Sequence, residues 1–159
     1  DYAIASMYQS YLESNDKEIG EQILMIYPDT VYSDFVKLNE AKRGFESNDY
    51  SRAISLLQEV ISNNPSSGDD FNPLQAAAKI RLAKIYLENE NYDDVISLFT
   101  NTDELTAIML ELKGDAENGI GQFSEARTNY MLALQKSNNQ SSRALISMKI
   151  SDLKGDGIE

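Results

Sequence analysis

Residues 121–134 read "GQFSEARTNYMLAL", and the alternation of small and aromatic side chains in this stretch decides the fold. The residues that set the pattern recur at helical spacing on one face: Ala126, Tyr130, Ala133 and Leu134. Gly121 precedes them and suits a turn, because glycine has no Cβ and accepts turn dihedrals. Residues 107–114 form another amphipathic segment just upstream. The sequence therefore predicts a helix–turn–helix unit here.

The same unit recurs along the chain, with one equivalent position in each second helix. That position is occupied by Gly20, Ala53, Val95 and Ala126, at spacings of 33, 42 and 31 residues. A repeat near 34 residues made of two helices is typical of tetratricopeptide repeats. One repeat cannot bury its own apolar face, so neighbouring repeats must stack.

The predicted fold is an all-α, tetratricopeptide-repeat-like solenoid of antiparallel helix pairs with a C-terminal capping helix. We expect a single domain over residues 1–159. Its repeats are placed at about 1–30, 31–65, 72–102 and 104–138, with the capping helix at 142–153. The long spacing has a visible cause, a polar insertion at Ser66–Asp70. Asn72 and Pro73 end the insertion, as the cap and first residue of the next helix.

The order of residues also predicts how each pair packs. We expect a small residue on each helix where the two cross, and the predicted partners are Gly114 with Ala126, Ala41 with Ala53, and Ala83 with Val95. Larger residues are expected to fill the groove of the next repeat: Leu57, Phe99 and Tyr130. Aromatic residues are expected to plug the turn inside each repeat: Tyr50, Tyr92 and Phe123.

Composition lowers the prospects for catalysis. The chain has neither cysteine nor histidine, which removes thiolate chemistry, the commonest general base and most zinc sites. Paired acids such as Asp93 and Asp94 lack the spacing of a calcium loop, so no metal, cofactor or catalytic residue is predicted. A hydrolytic enzyme built on carboxylates is a poor third hypothesis. The net charge of −12 disfavours nucleic acid as a partner.

A protein partner is therefore the prediction, bound on the face formed by the first helix of each repeat. The candidate residues on that face are Phe35, Leu38, Lys42, Phe45, Ile80, Lys84 and Leu87. A clamp for a peptide carboxylate is disfavoured, since Leu38 and Ile80 stand where lysine would be needed. The mixed apolar and lysine surface suits a hydrophobic helix or segment better. The alternative is that Phe35 and Phe45 pack against the preceding helix.

Three segments resemble one particular family. They are "LQAAAKIRLAKIYLENENYDDVISLF" (74–99), "LKGDAENGIGQFSEARTNYMLAL" (112–134) and "ALISMKISDL" (144–153). Together they resemble the periplasmic part of the YfgM-type ancillary subunits of the SecYEG translocon. The pieces "LKGDA" and "MKISDL" are the most specific, because the general tetratricopeptide pattern does not require them. The insertion at Ser66–Asp70 is hard to place on the family's pattern.

The resemblance implies a single-pass protein of the inner membrane with this domain in the periplasm. Its expected partners are translocon subunits, a membrane-anchored folding factor of the PpiD type and nascent secreted chains. The implied job is to assist newly translocated proteins, without enzymatic activity. The chain begins at Asp1, so we expect an N-terminal membrane anchor to have been removed. The alternative is a soluble cytoplasmic tetratricopeptide scaffold with an unrelated partner.

Overall fold

The structure, a computed structural model, describes residues 1–66 and 71–155. Within them the regular elements are all helical. The helices are α1 (Tyr2–Ser14), α2 (Lys17–Ile26), α3 (Val31–Glu46), α4 (Tyr50–Asn63), α5 (Pro73–Glu88), α6 (Tyr92–Leu98), α7 (Ala107–Gly119), α8 (Phe123–Lys136) and α9 (Gln140–Asp152), with a short 3₁₀ turn at Thr102–Glu104 between α6 and α7. The predicted all-α fold of helix pairs is confirmed. Most of the predicted insertion lies outside the described residues.

One turn geometry recurs between the two helices of each pair. The residue two positions before each second helix adopts a left-handed conformation: Asn15 (φ 53°), Asn48 (φ 61°), Glu90 (φ 57°) and Gly121 (φ 83°). In three of these turns the next amide donates to the carbonyl five residues earlier: Asp49 to Gly44 at 2.7 Å, Asn91 to Tyr86 at 2.8 Å and Gln122 to Glu117 at 2.8 Å. Such bonds satisfy carbonyls that a helix end leaves unpaired. The sequence repeat therefore reports a repeated backbone turn.

The equivalent position in each second helix is buried. Each of these residues is the fourth of its helix: Gly20 in α2, Ala53 in α4, Val95 in α6 and Ala126 in α8. Gly20 is buried, and the other three are 0% exposed. The predicted equivalence of these four positions is confirmed.

The chain divides into two compact units, Asp1–Leu82 and Ala83–Glu159. The first unit holds α1 to α4 and the beginning of α5. In it α1 packs on α2, α2 on α3 and α3 on α4. Its core includes Tyr11, Ile23 and Val36, which are at most 1% exposed. The single domain over residues 1–159 stays a prediction.

The close approach of α3 and α4 differs from the predicted one. A Cβ placed on Gly44 would lie 3.1 Å from Cβ of Ala53 and 2.9 Å from the carbonyl oxygen of Asp49. Gly44, rather than Ala41, is therefore the small residue opposite Ala53. The reason is the short turn, because the fourth residue of α4 faces the last turn of α3. Ala41 is buried one turn earlier in the helix.

The second unit holds the rest of α5 and the helices that follow. In it α6 packs on α7, α7 on α8 and α8 on α9. A Cβ placed on Gly114 would lie 2.6 Å from Cε1 of Tyr130. Gly114 therefore makes room for the Tyr130 ring, and its predicted pairing with Ala126 stays a prediction. The Tyr130 ring thus packs against α7 of its own helix pair, and its hydroxyl donates to Asp115 on the same helix. Its predicted contact with a neighbouring repeat stays a prediction.

Tyr92 contacts a neighbouring helix pair. It was predicted to plug the turn of its own repeat, but its ring lies against Gly119 at the end of α7. A Cβ there would be 2.5 Å from Cζ of Tyr92. The side chain of the first residue of α6 therefore contacts the following helix pair. Tyr50 stays at its own turn, with its ring centroid 5.9 Å from that of Phe45.

The predicted start of α5 is confirmed. Oδ1 of Asn72 accepts hydrogen bonds from the amides of Leu74 at 3.0 Å and Gln75 at 3.3 Å. Pro73 is the first helical residue, where its missing N–H costs nothing. The cap places α5 directly after the insertion.

Glu117 on α7 makes stability depend on pH. It is 4% exposed and accepts a hydrogen bond from Nδ2 of Asn129 at 2.5 Å. Burial raises the pKa of Glu117 above the ordinary 4.5, against the lowering effects of Asn129 and Lys113. The folded state thus favours the protonated carboxyl. The stabilisation that this proton gives is full below about pH 4.5 and is lost as pH rises through the folded pKa.

We therefore expect Glu117→Gln to be more stable than the natural chain at neutral pH. Glutamine keeps an oxygen for Asn129 without burying a charge. The advantage should shrink as pH falls toward the ordinary glutamate value, where both side chains are neutral. Thermal unfolding of both proteins between about pH 4 and pH 8 measures it. Glu104→Gln, at an exposed site, is the control, and an equal pH dependence in both variants would contradict the assignment.

Candidate protein-binding surface

An aromatic cluster joins α1 to α3 in the first unit. The ring centroid of Tyr8 lies 5.2 Å from that of Tyr32, 6.0 Å from that of Phe35 and 6.2 Å from that of Tyr11. Tyr8 and Phe35 are stacked at an interplanar angle of 29°. Offset-stacked and tilted rings at these distances attract one another beyond their burial. We call these four residues the aromatic cluster.

Local sequence explains the placement of the cluster. Oγ1 of Thr30 accepts from the amide of Ser33 at 3.2 Å and so fixes the start of α3. Tyr32 and Phe35 then stand three residues apart on one face of α3, and Tyr8 and Tyr11 do the same on α1. The two faces meet because α1 packs on α3.

Tyr11 anchors the cluster through its hydroxyl. The hydroxyl donates to Oε1 of Glu40 at 2.7 Å and accepts from Nδ2 of Asn39 at 2.5 Å. Burial raises the pKa of Tyr11 to about 12, with a further contribution from Glu40. The phenol therefore stays neutral at physiological pH and keeps donating to the carboxylate. This bond fixes the position of α1 on α3.

Beside the cluster, an apolar groove of 650 Å³ opens between α3 and the start of α5. Its lining residues are Phe35, Asn64, Pro65, Phe71, Asn72, Pro73 and Leu74. Phe35 is 40% exposed and Phe71 is 62% exposed. Contiguous exposed apolar surface is typical of interaction sites, and aromatic side chains are enriched at protein interfaces. We call this cavity the apolar groove.

A second cavity of 350 Å³, the acidic pocket, lies at the start of α3. It is lined by Asp29, Thr30, Val31, Asp34, Asn63 and Asn64. Asn64 lines both cavities, so they adjoin. Its Nδ2 donates to Oδ2 of Asp34 and to the carbonyl of Val60, both at 2.9 Å. The apolar groove therefore ends next to two carboxylates.

The residues predicted for the binding face are found in different settings. Phe35 lines the apolar groove, but Leu38 is 6% exposed, and its carbonyl accepts from Nη1 of Arg81 at 2.9 Å. Lys42 is exposed, and Phe45 is 37% exposed, with its ring centroid 5.9 Å from that of Tyr50. The remaining three lie on α5: Ile80 is half-buried in the first unit, while in the second unit Lys84 is exposed and Leu87 is half-buried. Of the predicted set, only Phe35 lines a described apolar cavity. The set as a binding site stays a prediction.

Sequence reasoning missed several residues of this surface. Tyr32 could have been found, because it lies one helical turn before Phe35 on the same face. Phe71 gave a weaker signal, a lone aromatic residue at the end of a polar insertion. Its position beside Phe35 follows from the return of the chain after α4, which no local periodicity records.

A third cavity, of 380 Å³, lies at the end of α3 and is polar. It is lined by Lys17, Glu40, Arg43, Gly44, Glu46, Ser47, Asp49 and Arg52. Its arginines already have carboxylate partners: Nε of Arg43 lies 3.3 Å from Glu40, and Arg52 pairs with Glu21. A carboxylate ligand would have to compete with these pairs. The apolar groove is thus the stronger candidate for a partner.

Neither a metal-binding group nor a membrane-spanning helix is found among the described residues. Across residues 1–66 and 71–155, no three histidine, cysteine, aspartate or glutamate side chains are grouped so that they could hold a metal ion. In the same part of the chain, no helix is both long enough and apolar enough to cross a bilayer.

Paired helices with a repeated turn and an exposed apolar groove define a protein-interaction module of the α-helical repeat class. The chain belongs to the tetratricopeptide repeat-like domain family, whose profile matches residues 3–155. Domains of this family are typically non-catalytic modules that bind other proteins. No curated protein and no solved structure matched the chain.

Proposed function

We propose that this chain is the non-enzymatic, periplasm-facing interaction domain of a YfgM-type inner-membrane protein. In this role it associates with the SecYEG translocon and with a membrane-anchored folding factor of the PpiD type. It assists secreted proteins as they leave the channel. Membership of the tetratricopeptide repeat-like family supports the general part of this proposal, which is protein binding.

One observation carries the particular part. The two most specific pieces of the resemblance, "LKGDA" (112–116) and "MKISDL" (148–153), meet in the second unit. Nζ of Lys149 lies 2.7 Å from Oε1 of Glu111 and 2.9 Å from Oδ2 of Asp115. Tyr130 donates from its hydroxyl to Oδ1 of Asp115 at 2.6 Å. The two pieces therefore form one packing unit, which supports treating them together as one family pattern.

The pKa shifts agree with this cluster. Burial alone would lower the pKa of Lys149, but its hydrogen bonds to Glu111 and Asp115 outweigh burial and raise it. Burial and the neighbouring Asp115 raise the pKa of Tyr130. Lys149 therefore stays protonated and Tyr130 stays neutral at any physiological pH. The cluster ties α7, α8 and α9 together.

The first test needs only the encoding gene. An apolar stretch of about twenty residues upstream of Asp1 is expected if the domain is anchored in the inner membrane. A gene that encodes no such stretch would favour the alternative, a cytoplasmic scaffold with an unrelated partner.

The second test is cross-linking in living cells. The full-length protein, with a photoreactive residue in place of Phe71, is expected to cross-link to a translocon subunit, to the folding factor or to a nascent secreted chain. Met131, 52% exposed in the second unit, provides a control position for the same probe. Adducts that contain only cytoplasmic proteins, or no adduct at either position, would overturn the proposal.

A further inference from the structure

We infer that the first unit binds a peptide segment in which a large apolar side chain stands next to lysine or arginine. The apolar side chain enters the apolar groove, and the cation enters the acidic pocket. The inference deepens the proposed function, since it rests on protein binding and names the chemistry of the partner. Neither family membership nor the resemblance specifies this pairing.

The apolar groove supplies the hydrophobic half of the site. Phe35 and Phe71 both line it and keep much of their surface exposed. Pro65 and Pro73 flank them and restrict the local backbone. A partner that covers these two exposed rings removes apolar surface from water, which favours binding. A leucine, methionine or aromatic side chain fits such a groove.

The acidic pocket supplies the charged half. Asp29 and Asp34 both line it, and none of its described lining residues is basic. Asp34 is 7% exposed, and its Oδ1 has no hydrogen-bond partner within the described structure. A buried acceptor without a partner costs stability until a donor reaches it. A lysine ammonium or an arginine guanidinium supplies such a donor together with the opposite charge.

Asn64 lies at the boundary between the two halves and lines both of them. Both hydrogens of its Nδ2 are used, on Asp34 and on the carbonyl of Val60. Its Oδ1 is an acceptor, so the shared wall also favours a donor. Because one residue separates groove from pocket, the two anchors of the partner must be near neighbours. The site therefore requires an apolar residue and a basic residue close together in the bound segment.

The charge of the chain argues against a second copy as the occupant. The chain carries 26 acidic residues against 14 basic residues, a net charge of −12. Two such chains repel one another, whereas a basic segment is attracted to the surface as a whole. The occupant is therefore a different, locally cationic polypeptide.

The test is selection from a phage-displayed library of random peptides on the 159-residue chain. The selected peptides are expected to place lysine or arginine within a few residues of an aromatic or large aliphatic residue. One selected peptide is then labelled with fluorescein, and its affinity is measured by anisotropy. Its matched variant with glutamine in place of the basic residue is expected to bind about tenfold more weakly.

Protein variants separate the two halves. Asp29→Asn is expected to lower the affinity for the basic peptide by about threefold and to leave the affinity for the glutamine peptide unchanged. Phe71→Ser is expected to lower the affinity for both peptides by about tenfold or more. Asp103→Asn and Met131→Ser, exposed in the second unit, are the matched controls and should leave both affinities unchanged. Melting temperatures of all variants check that the fold is kept.

Several outcomes overturn the inference. Selection of peptides without a basic residue, or equal losses in Asp29→Asn and Asp103→Asn, removes the acidic pocket from the site. Failure to select any peptide, or a self-association that Phe71→Ser abolishes, shows that a peptide is not the occupant. Failure of the translocon proposal is distinct, because it appears as missing cross-links in cells while peptide binding in vitro persists.

Discussion

Replacing Gly114 by alanine is expected to destabilise the second unit by about 3 kcal/mol, the upper end of overpacking costs. The new Cβ would lie 2.6 Å from Cε1 and 2.7 Å from Cδ1 of Tyr130. The ring cannot swing aside, because Tyr130 is 1% exposed and its hydroxyl is held by Asp115 at 2.6 Å. Helix propensity acts the other way, since alanine is favoured over glycine by about 1 kcal/mol. The sign of the change therefore separates packing from propensity.

Chemical denaturation of the natural chain and of Gly114→Ala gives the difference in unfolding free energy. Tyr130→Ala removes the obstructing ring, so in that background Gly114→Ala is expected to be neutral or stabilising. This double-mutant cycle assigns the coupling to the pair. Gly155→Ala is the control for the substitution itself, because nothing lies within 4 Å of its added Cβ. An equal loss from Gly114→Ala in both backgrounds would contradict the contact.

The repeat architecture could be predicted because each repeat solves the same local problem. The turn needs one left-handed residue, and the chain supplies Asn15, Asn48, Glu90 and Gly121 at equivalent places. The fourth residue after each turn must be buried, and small or β-branched residues occupy it. Both requirements involve neighbours along the chain, so they leave a regular signal in the sequence.

The partners of large side chains could not be predicted in the same way. Tyr92 and Tyr130 stand at positions that the repeat pattern treats as a turn plug and an inter-repeat contact. In the structure Tyr92 lies against the next helix pair, and Tyr130 lies within its own pair. The pattern records which face of a helix is apolar. It does not record the crossing geometry that decides which residue meets that face.

The candidate surface was predicted only in part for a related reason. Phe35 and Leu38 share a face of α3, and spacing alone treats them alike. Arg81 of α5 donates to the carbonyl of Leu38, and Leu38 is buried, whereas Phe35 is partly exposed. The acidic pocket also depends on chain segments that are distant in sequence, since Asn64 reaches Asp34 across 30 residues. Periodicity carries no record of such contacts.

Replacing Ala126 by leucine is the second large effect that we expect. Ala126 is 0% exposed, and its equivalents on the other second helices are glycine, alanine and valine. A leucine there forces α8 away from its neighbours, because close-packed interiors do not absorb extra methylenes without strain. We expect a loss of about 1–3 kcal/mol in unfolding free energy. The valine that occupies the equivalent position in α6 predicts a smaller loss for Ala126→Val.

Thermal unfolding of Ala126→Leu, Ala126→Val and the natural chain checks the expected order of stability. Thr128→Leu, on an exposed position of the same helix, is the matched control and is expected to change stability by about 0.5 kcal/mol or less. Because leucine is a strong helix former, propensity alone would stabilise both leucine variants. A melting temperature of Ala126→Leu equal to that of the natural chain would mean that the fourth residue of α8 has free space beside it. The small residue at this position would then reflect the geometry of the turn before α8 and not close packing between helices.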